Sequence, residues 1–374
     1  MNSRKKLESG ALASQQLQDL LRQGVICSEL AVTEDQVQPA SIDLRLGAKA
    51  YRVRSSFLPG RHRTVTECLA KMAMHEIDLA SGAVLEKSCV YIVPLLESLK
   101  LPSSLSGAGN PKSSTGRLDV FTRLITDFGD EFEQVPAGYQ GPLYAEIAPL
   151  TFSVLVRQGS RLSQLRLRSG QPALNDDAHW ALHQSSGLVN QTLSAKEVRK
   201  GVPVSVDLTG DAATGLIGYR AKRHSGVVDI DLAGAHPASE YWEPLYRDLG
   251  KQDNKKLILD PGEFYILVSK EAVQIPADYA AEMVPYDTLV GEFRVHYAGF
   301  FDPGFGVPEA GGEGSRAVLE VRSFDVPFLL EHGQNVGRLV YEKMLTRPDN
   351  IYGRDLKSNY QSQGLKLSKH FLLG

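Results

Sequence analysis

The chain reads as a mostly all-β protein built from two tandem modules with a few short helices, and three observations lead there. Short runs rich in branched and aromatic residues recur between Gly, Pro, Asn and Asp: SIDLRL, CVYIVPL, DVFTRLI, LYAEIA and FSVLV, then FYILVS, FRVHYA, AVLEV, PFLLE and GRLVYEKM. Strands that follow one another this closely belong to small barrels or sandwiches, because a parallel α/β sheet needs a helical stretch between them. The second observation is an internal repeat. LEKSCVYIVPLLESLKLP aligns with LDPGEFYILVSKEAVQIP through Tyr91 and Tyr265, Ile92 and Ile266, and Glu97 and Glu271, each pair 174 positions apart. The same offset carries YAEI around Glu146 onto VLEV around Glu320, and RLSQLRL around Gln164 onto NVGRLVY around Arg338. Third, 374 residues suit two domains of roughly 180 residues each on the usual length prior.

Taken in order, residues 14–23 place Leu17, Leu20 and Leu21 on one helical face, and Gly24 stops that helix. QPASIDLRLG at residues 38–47 alternates, with Ile42, Leu44 and Leu46 on one side of a strand and Ser41, Asp43 and Arg45 on the other. Residues 168–203 break the strand rhythm and read as a linker, giving a first module over 1–190 and a second over 191–374. The segment from Arg347 is polar and reads as a mobile arm rather than core.

The composition, 42% hydrophobic and 23% charged, is that of an ordinary soluble protein. A formal charge of −3 excludes a globally basic nucleic-acid binder and leaves room for a local anion site. No apolar run approaches the length of a membrane span, and MNSRKKLESG lacks the apolar core of a signal peptide, so a cytoplasmic location is expected. Cys27, Cys68 and Cys89 show no metal-ligand spacing and read as reduced thiols.

Two segments suggest chemistry. In GNPKSSTGRLDVFTRL, Gly109 and Pro111 open a turn, and Lys112, Ser113, Ser114 and Arg117 crowd hydroxyl and cationic donors into six residues. Such a set suits phosphate, since hydroxyls and backbone N–H groups hold oxygens while Lys and Arg neutralise charge. It is not a Walker loop, because Pro111 stands where that motif needs Gly; a solvated turn is the alternative. In the second half, YAGFFDPGFG sets Ala298 and Asp302 around a Pro-Gly turn, and AVLEV then carries Glu320 between apolar neighbours. Either Glu320 points to solvent, or partial desolvation raises its pKa toward the range useful for acid–base work.

Together these pieces resemble the deoxycytidine triphosphate (dCTP) deaminase family in its double-length bacterial form, which shares a trimeric β-fold superfamily with the deoxyuridine triphosphatases (dUTPases). The family features are a QPASIDLRLG-like strand, an R-S-S-x-x-R phosphate segment, an A-x-x-x-D-P-G-[WF] hairpin leading to a strand with the catalytic Glu, an I-x-Q-L strand, and an arm with Tyr, Lys-Tyr and Gln. The resemblance implies two dUTPase-like β-barrel or jelly-roll modules and a homo-oligomer with threefold or pseudo-threefold packing of modules. The two copies match unevenly. The first keeps Lys112, Ser113, Ser114 and Arg117, with Lys where the family has Arg, and Gln164 of SQL, but its hairpin reads VPAGYQG. The second keeps the hairpin with Ala298 and Asp302, and Glu320, while the phosphate positions become Tyr286, Asp287, Thr288 and Gly291. The arm supplies Tyr352, Tyr360 and Gln363, with Asn359 in place of the family Lys and Lys357 nearby.

Because the superfamily pairs the phosphate segment of one subunit with the hairpin of its neighbour, the expected site is composite. The first copy contributes Lys112, Ser113, Ser114, Arg117 and Gln164; the second contributes catalysis through Glu320, with Glu146 as the alternative carboxylate. The implied reaction is hydrolytic deamination of dCTP to dUTP and ammonia. Magnesium is expected with the triphosphate, and no zinc, since the H-x-E…P-C-x-x-C signature of zinc deaminases is absent. The other readings are a bifunctional deaminase–diphosphatase, a dUTP diphosphatase, whose Gly-rich arm motif GLKLSKHF does not match, and a non-catalytic nucleotide-binding regulator.

Overall fold

The computed structural model describes residues 8–247, 255–285, 299–353 and 364–373, and the backbone of residues 293–295. The strands form antiparallel sheets in each half. In the first, Arg161–Ser169 lies between Ile42–Arg45 and Leu105–Pro111, and a facing sheet runs Ala73–Asp78, Lys49–Val53, Val90–Lys100, Gln140–Pro149, Val120–Thr126. In the second, Asn335–Lys343 lies between Val202–Ser205 and Tyr279–Pro285, facing a sheet ordered Trp242–Tyr246, Leu216–Ala221, Phe264–Val273, Ser315–Ser323, Phe293–Val295. This is the mostly β architecture that the run spacing predicts. Among the described residues no helix is long and apolar enough to cross a membrane.

Several positions 174 apart occupy corresponding places in the two halves. Glu146 faces Ile92 across the sheet, and Glu320 faces Ile266. The Glu97 carboxylate accepts from the backbone N of Arg45 at 2.8 Å, and Glu271 accepts from that of Ser205 at 2.7 Å. Each is a buried carboxylate that ties a central strand to the last residue of an edge strand, Ile42–Arg45 or Val202–Ser205, in the other sheet. A buried acceptor needs such donors, because an unmet one costs about 1–3 kcal/mol.

Two segments differ from expectation. The stretch expected as linker contains the helix Asp176–Ser186, capped at its start by the Asn175 side chain accepting from Ala178 N and closed by Gly187 in the left-handed region. It packs with the second core through Leu182, and His179 Nε2 accepts from Tyr341 N at 3.0 Å. The second correction concerns the segment expected as a mobile arm: Leu367 and Phe371 are buried in the first core beside Trp242, Phe264 and Phe152. Ser368 and His370 are buried there too, with their polar atoms hydrogen-bonded to Ser114 O, to one another and to Ile230 O.

The halves are joined by charge as well as by apolar contact. On Arg161–Ser169, residues Gln164, Arg166 and Arg168 share one face, and that face meets the second half. Arg166 has no solvent exposure; its guanidinium donates to the carbonyls of Ala281 (3.1 Å) and Phe301 (3.3 Å), lies 3.5 Å from Glu342, and covers the Phe300 ring at 4.0 Å. Arg168 meets Glu282 at 2.9 Å and also Glu342 at 2.5 Å. In the reverse direction, Arg322 pairs with Asp119, and its Nη2 donates to Thr151 at 2.8 Å. Removing one partner of a buried ionic cluster leaves the rest uncompensated, so Arg166→Ala is expected to destabilise the fold by about 3–5 kcal/mol, measured by urea denaturation, whereas replacing exposed Arg22, paired with Asp19 on one helix, leaves the midpoint unchanged.

Candidate active site

A cleft of about 680 Å³ opens between the two halves, and its walls come from both. From the first half it takes Lys112, Ser113, Ser114, Arg117 and Gln164; from the second, Asp302, Phe305, Glu320 and Tyr352. All of these but Phe305 were anticipated from sequence, so eight anticipated residues are brought together. Glu146 does not line the cleft. Ala298, Lys357, Tyr360 and Gln363 lie outside the described residues, as do Tyr286, Asp287, Thr288 and Gly291 of the altered second segment.

The phosphate-type segment follows the strand Leu105–Pro111 as a single helical turn, Ser113–Gly116. Its backbone closes with Thr115 N donating to Lys112 O at 2.8 Å and Arg117 N to Ser113 O at 3.1 Å. Leaving that turn, Asp119 adopts a left-handed φ of 56°, and its carboxylate accepts from Thr151 Oγ1 at 2.6 Å while pairing with Arg322 of the second half. The turn is therefore fixed at its exit by the opposite module. At its entrance the Lys112 ammonium pairs with Asp43, which also stands 3.7 Å from Arg161. Beside them, Gln164 Oε1 accepts from Ser41 Oγ at 2.9 Å, which orients the amide toward the cleft wall.

Opposite lies the second-half hairpin. Gly304 holds a φ of 97°, and a β-carbon there would stand 2.9 Å from the backbone of Tyr352, so this position takes glycine. The close approach lets Tyr352 N donate to Pro303 O at 2.8 Å and sets its ring 5.7 Å from that of Phe305. Arg166 grips the same hairpin by the Phe301 carbonyl and stands 3.6 Å from Asp302, whose carboxyl is held above its ordinary pKa by burial, with Arg166 and Lys112 opposing.

Glu320 sits in the strand Ser315–Ser323, where alternation sends Leu319 and Val321 into the second core while Val318 and Glu320 line the cleft. Burial raises its carboxyl from 4.5 to about 7; the Arg117 guanidinium, with Nε 3.8 Å from Glu320 Oε1, pulls in the opposite direction. Glu146, at the corresponding strand position, is instead clamped by Arg123, whose guanidinium stacks on Phe132 at 3.4 Å and Phe121 at 4.6 Å. Among the described residues, no cluster of three or more His, Cys, Asp and Glu side chains could hold a metal ion. Sequence reasoning missed Arg161, Arg166, Asp231 and Lys369, of which all but Arg166 line the cleft; the polar face shared by Gln164, Arg166 and Arg168 is the signal that could have found Arg166.

Comparison with known proteins identifies the family. The model of the 2'-deoxycytidine 5'-triphosphate deaminase N-terminal domain matches residues 8–171, and that of the C-terminal domain matches residues 175–371. The chain belongs to the 2'-deoxycytidine 5'-triphosphate deaminase family. It is similar to the crystal structure of 2'-deoxycytidine 5'-triphosphate deaminase from Agrobacterium tumefaciens, with 56% identity and a TM-score of 0.85 over 91% of this chain and 99% of that one. A Halobacterium salinarum protein named dCTP deaminase, dUMP-forming, is 32% identical over 30% of this chain and 55% of its own length. A Natronomonas pharaonis dCTP deaminase is 29% identical over 43% of this chain and 74% of its own. The chain thus spans little more than half of the first of these two curated relatives.

The raised Glu320 pKa carries a stability signature. A folded state that holds a proton more tightly than the unfolded chain is favoured below about 4.5; that advantage is lost as pH rises through about 7. Glu320→Gln, which keeps the neutral shape at every pH, is therefore expected to match the parent near pH 4 and to exceed it at pH 8 by on the order of 3 kcal/mol. Denaturation midpoints across that range check it; a variant that is less stable than the parent at pH 8 contradicts the assignment.

Proposed function

We propose that the chain hydrolyses dCTP to dUTP and ammonia. The observation that carries this reading is the placement of Glu320, a buried carboxyl with a pKa of about 7, beside Arg117 and across one cleft from Lys112, Ser113 and Ser114. The names of the A. tumefaciens structure and of the curated relatives support the same substrate.

Water alone adds too slowly to an aromatic amidine. A base must take its proton, and an acid must protonate the ring nitrogen N3 so that C4 accepts the new C–O bond. In our reading the Glu320 carboxylate takes the proton from water as oxygen adds to C4, and passes that proton to N3. The tetrahedral centre then collapses: the C4–N4 bond breaks, the second proton of the water moves to the departing amine, and ammonia leaves with a carbonyl at C4. A carboxyl with a pKa near neutrality serves both directions of transfer, since neither protonation state is strongly favoured. Arg117 stabilises the carboxylate form, Ser113 orients the attacking water, and Lys112, Ser114 and Gln164 hold the nucleotide. Asp302 and Tyr352 close on it from the second half. Magnesium enters as part of the substrate, bound to triphosphate oxygens and water, and the metal-free base chemistry needs no zinc.

A second reading is favoured by the name of the H. salinarum relative: release of dUMP from the same bound nucleotide. Incubation with dCTP and magnesium, followed by chromatography, separates them. dUTP with ammonia is expected; dUMP with pyrophosphate supports the second reading, and absence of turnover refutes both. Glu320→Gln is expected to lower kcat at least a thousandfold, and Arg117→Ala to remove several kcal/mol of transition-state stabilisation. Glu146→Gln, away from the cleft, is expected to leave most of the activity. The reverse ranking of the two glutamates would place the chemistry in the first half. Treatment with a zinc-selective chelator is expected to leave turnover unchanged, and loss restored by added zinc contradicts the mechanism.

A further inference from the structure

Residues 364–371 form a strap across the back of the phosphate segment. The Lys366 carbonyl accepts from Arg117 Nη1 at 3.1 Å, and Ser368 Oγ donates to the Ser114 carbonyl at 2.8 Å. Beyond these contacts the strap is pinned on both sides of Lys369. Gly234 N donates to the Lys369 carbonyl at 2.9 Å and His236 N to that of His370 at 3.2 Å. His370 Nε2 lies 2.9 Å from the Ile230 carbonyl, and the Phe371 ring packs 5.7 Å from Trp242 and 6.1 Å from Phe152. The backbone that presents Lys369 is therefore fixed, and its half-buried side chain lines the cleft with Lys112, Arg161 and Asp231.

We propose that Lys369 is a substrate-binding residue that takes the outer phosphates of the nucleotide, joining Lys112 and Arg161 at an end of the cleft where Asp35, Asp43 and Asp231 also stand. Three features support this beyond proximity. Lys112 and Arg161 share the Asp43 carboxylate, and Arg161 is also held by Asp35 at 2.9 Å, so a further cation from a different element adds charge where a polyanion must be neutralised. Burial, with Lys112 and Arg161 nearby, depresses the Lys369 pKa although Asp43 and Asp231 oppose the shift, and an arriving phosphate favours the charged form. Finally, a lysine on a pinned backbone loses less freedom on binding than one on a free arm. Glu320, by contrast, has Arg117 as its charged neighbour, so Lys369 serves binding rather than the proton transfers.

The assignment rests on the dCTP reading, and the test separates the two. Dissociation constants for dCTP, dCMP and inorganic tripolyphosphate are measured by calorimetry on the full chain and on Lys369→Ala and Lys369→Arg, with steady-state deamination alongside. Lys369→Ala is expected to weaken dCTP and tripolyphosphate at least tenfold, leave dCMP within twofold, raise KM and keep kcat within threefold; Lys369→Arg recovers most of the loss. Unchanged dCTP affinity overturns the proposal. So does an equal weakening of dCMP and dCTP with a lowered Tm, which marks a structural role for the strap. If the parent binds dCTP without deaminating it, the functional reading falls while the tripolyphosphate arm still decides Lys369; a parent that binds neither ligand overturns both.

Discussion

Burying the Arg166 guanidinium removes a full charge from water at a cost of several kcal/mol, and the second half supplies what offsets it. Carbonyls of Ala281 and Phe301 accept its protons, Glu342 and Asp302 face its charge, and Phe300 lies beneath its plane. Because Phe300, Phe301 and Asp302 belong to the hairpin that walls the cleft, the same set of contacts that satisfies this arginine also sets the distance between the walls. Arg322 and Asp119 work in the opposite direction, fixing the exit of the Lys112 to Arg117 turn. The 3.8 Å separation of Arg117 from Glu320 is thus held by two reciprocal charged contacts, each reaching from one half into the other.

The repeat also shows how one strand position supports two outcomes. Glu146 and Glu320 face equivalent isoleucines in equivalent sheets. What differs is the arginine. Arg123 binds Glu146 directly and is itself sandwiched by aromatic rings, so that carboxylate is committed to an ion pair. Arg117 pairs with Glu320 at 3.8 Å and offsets its burial only in part, which leaves the carboxyl pKa at about 7. A carboxylate's usefulness for proton transfer depends on this incomplete compensation rather than on its burial alone.

Much of this was legible in the sequence. Alternation gave the strands around Ile42, Ile92 and Glu320, and the repeat offset placed the two glutamates at matching registers. Lys112, Ser113, Ser114 and Arg117 could be selected because hydroxyls and cations suit phosphate, whereas Gln164, Asp302 and Tyr352 were reached through the family resemblance. What was not legible shares one cause. Of the polar face formed by Gln164, Arg166 and Arg168 only Gln164 was singled out, yet the whole face turns toward the other half. Likewise Lys366, Ser368 and His370 made residues 364–371 look like an arm, although Leu367 and Phe371 anchor that stretch in the core. Polarity alone does not distinguish solvent from a second polar surface, and in a chain of two repeated modules each copy offers the other such a surface.

The two walls of the cleft belong to one polypeptide. Their meeting is therefore governed by the effective concentration that a covalent connection provides, and dilution does not separate them as mass action would separate walls on different molecules. There is an evolutionary counterpart. Where identical subunits face each other, every substitution strikes both walls at once, and a gain on one side is tied to a loss on the other. Encoding the walls separately removes that tie: VPAGYQG in the first half and Tyr286, Asp287 and Thr288 in the second each differ from the pattern their counterparts retain.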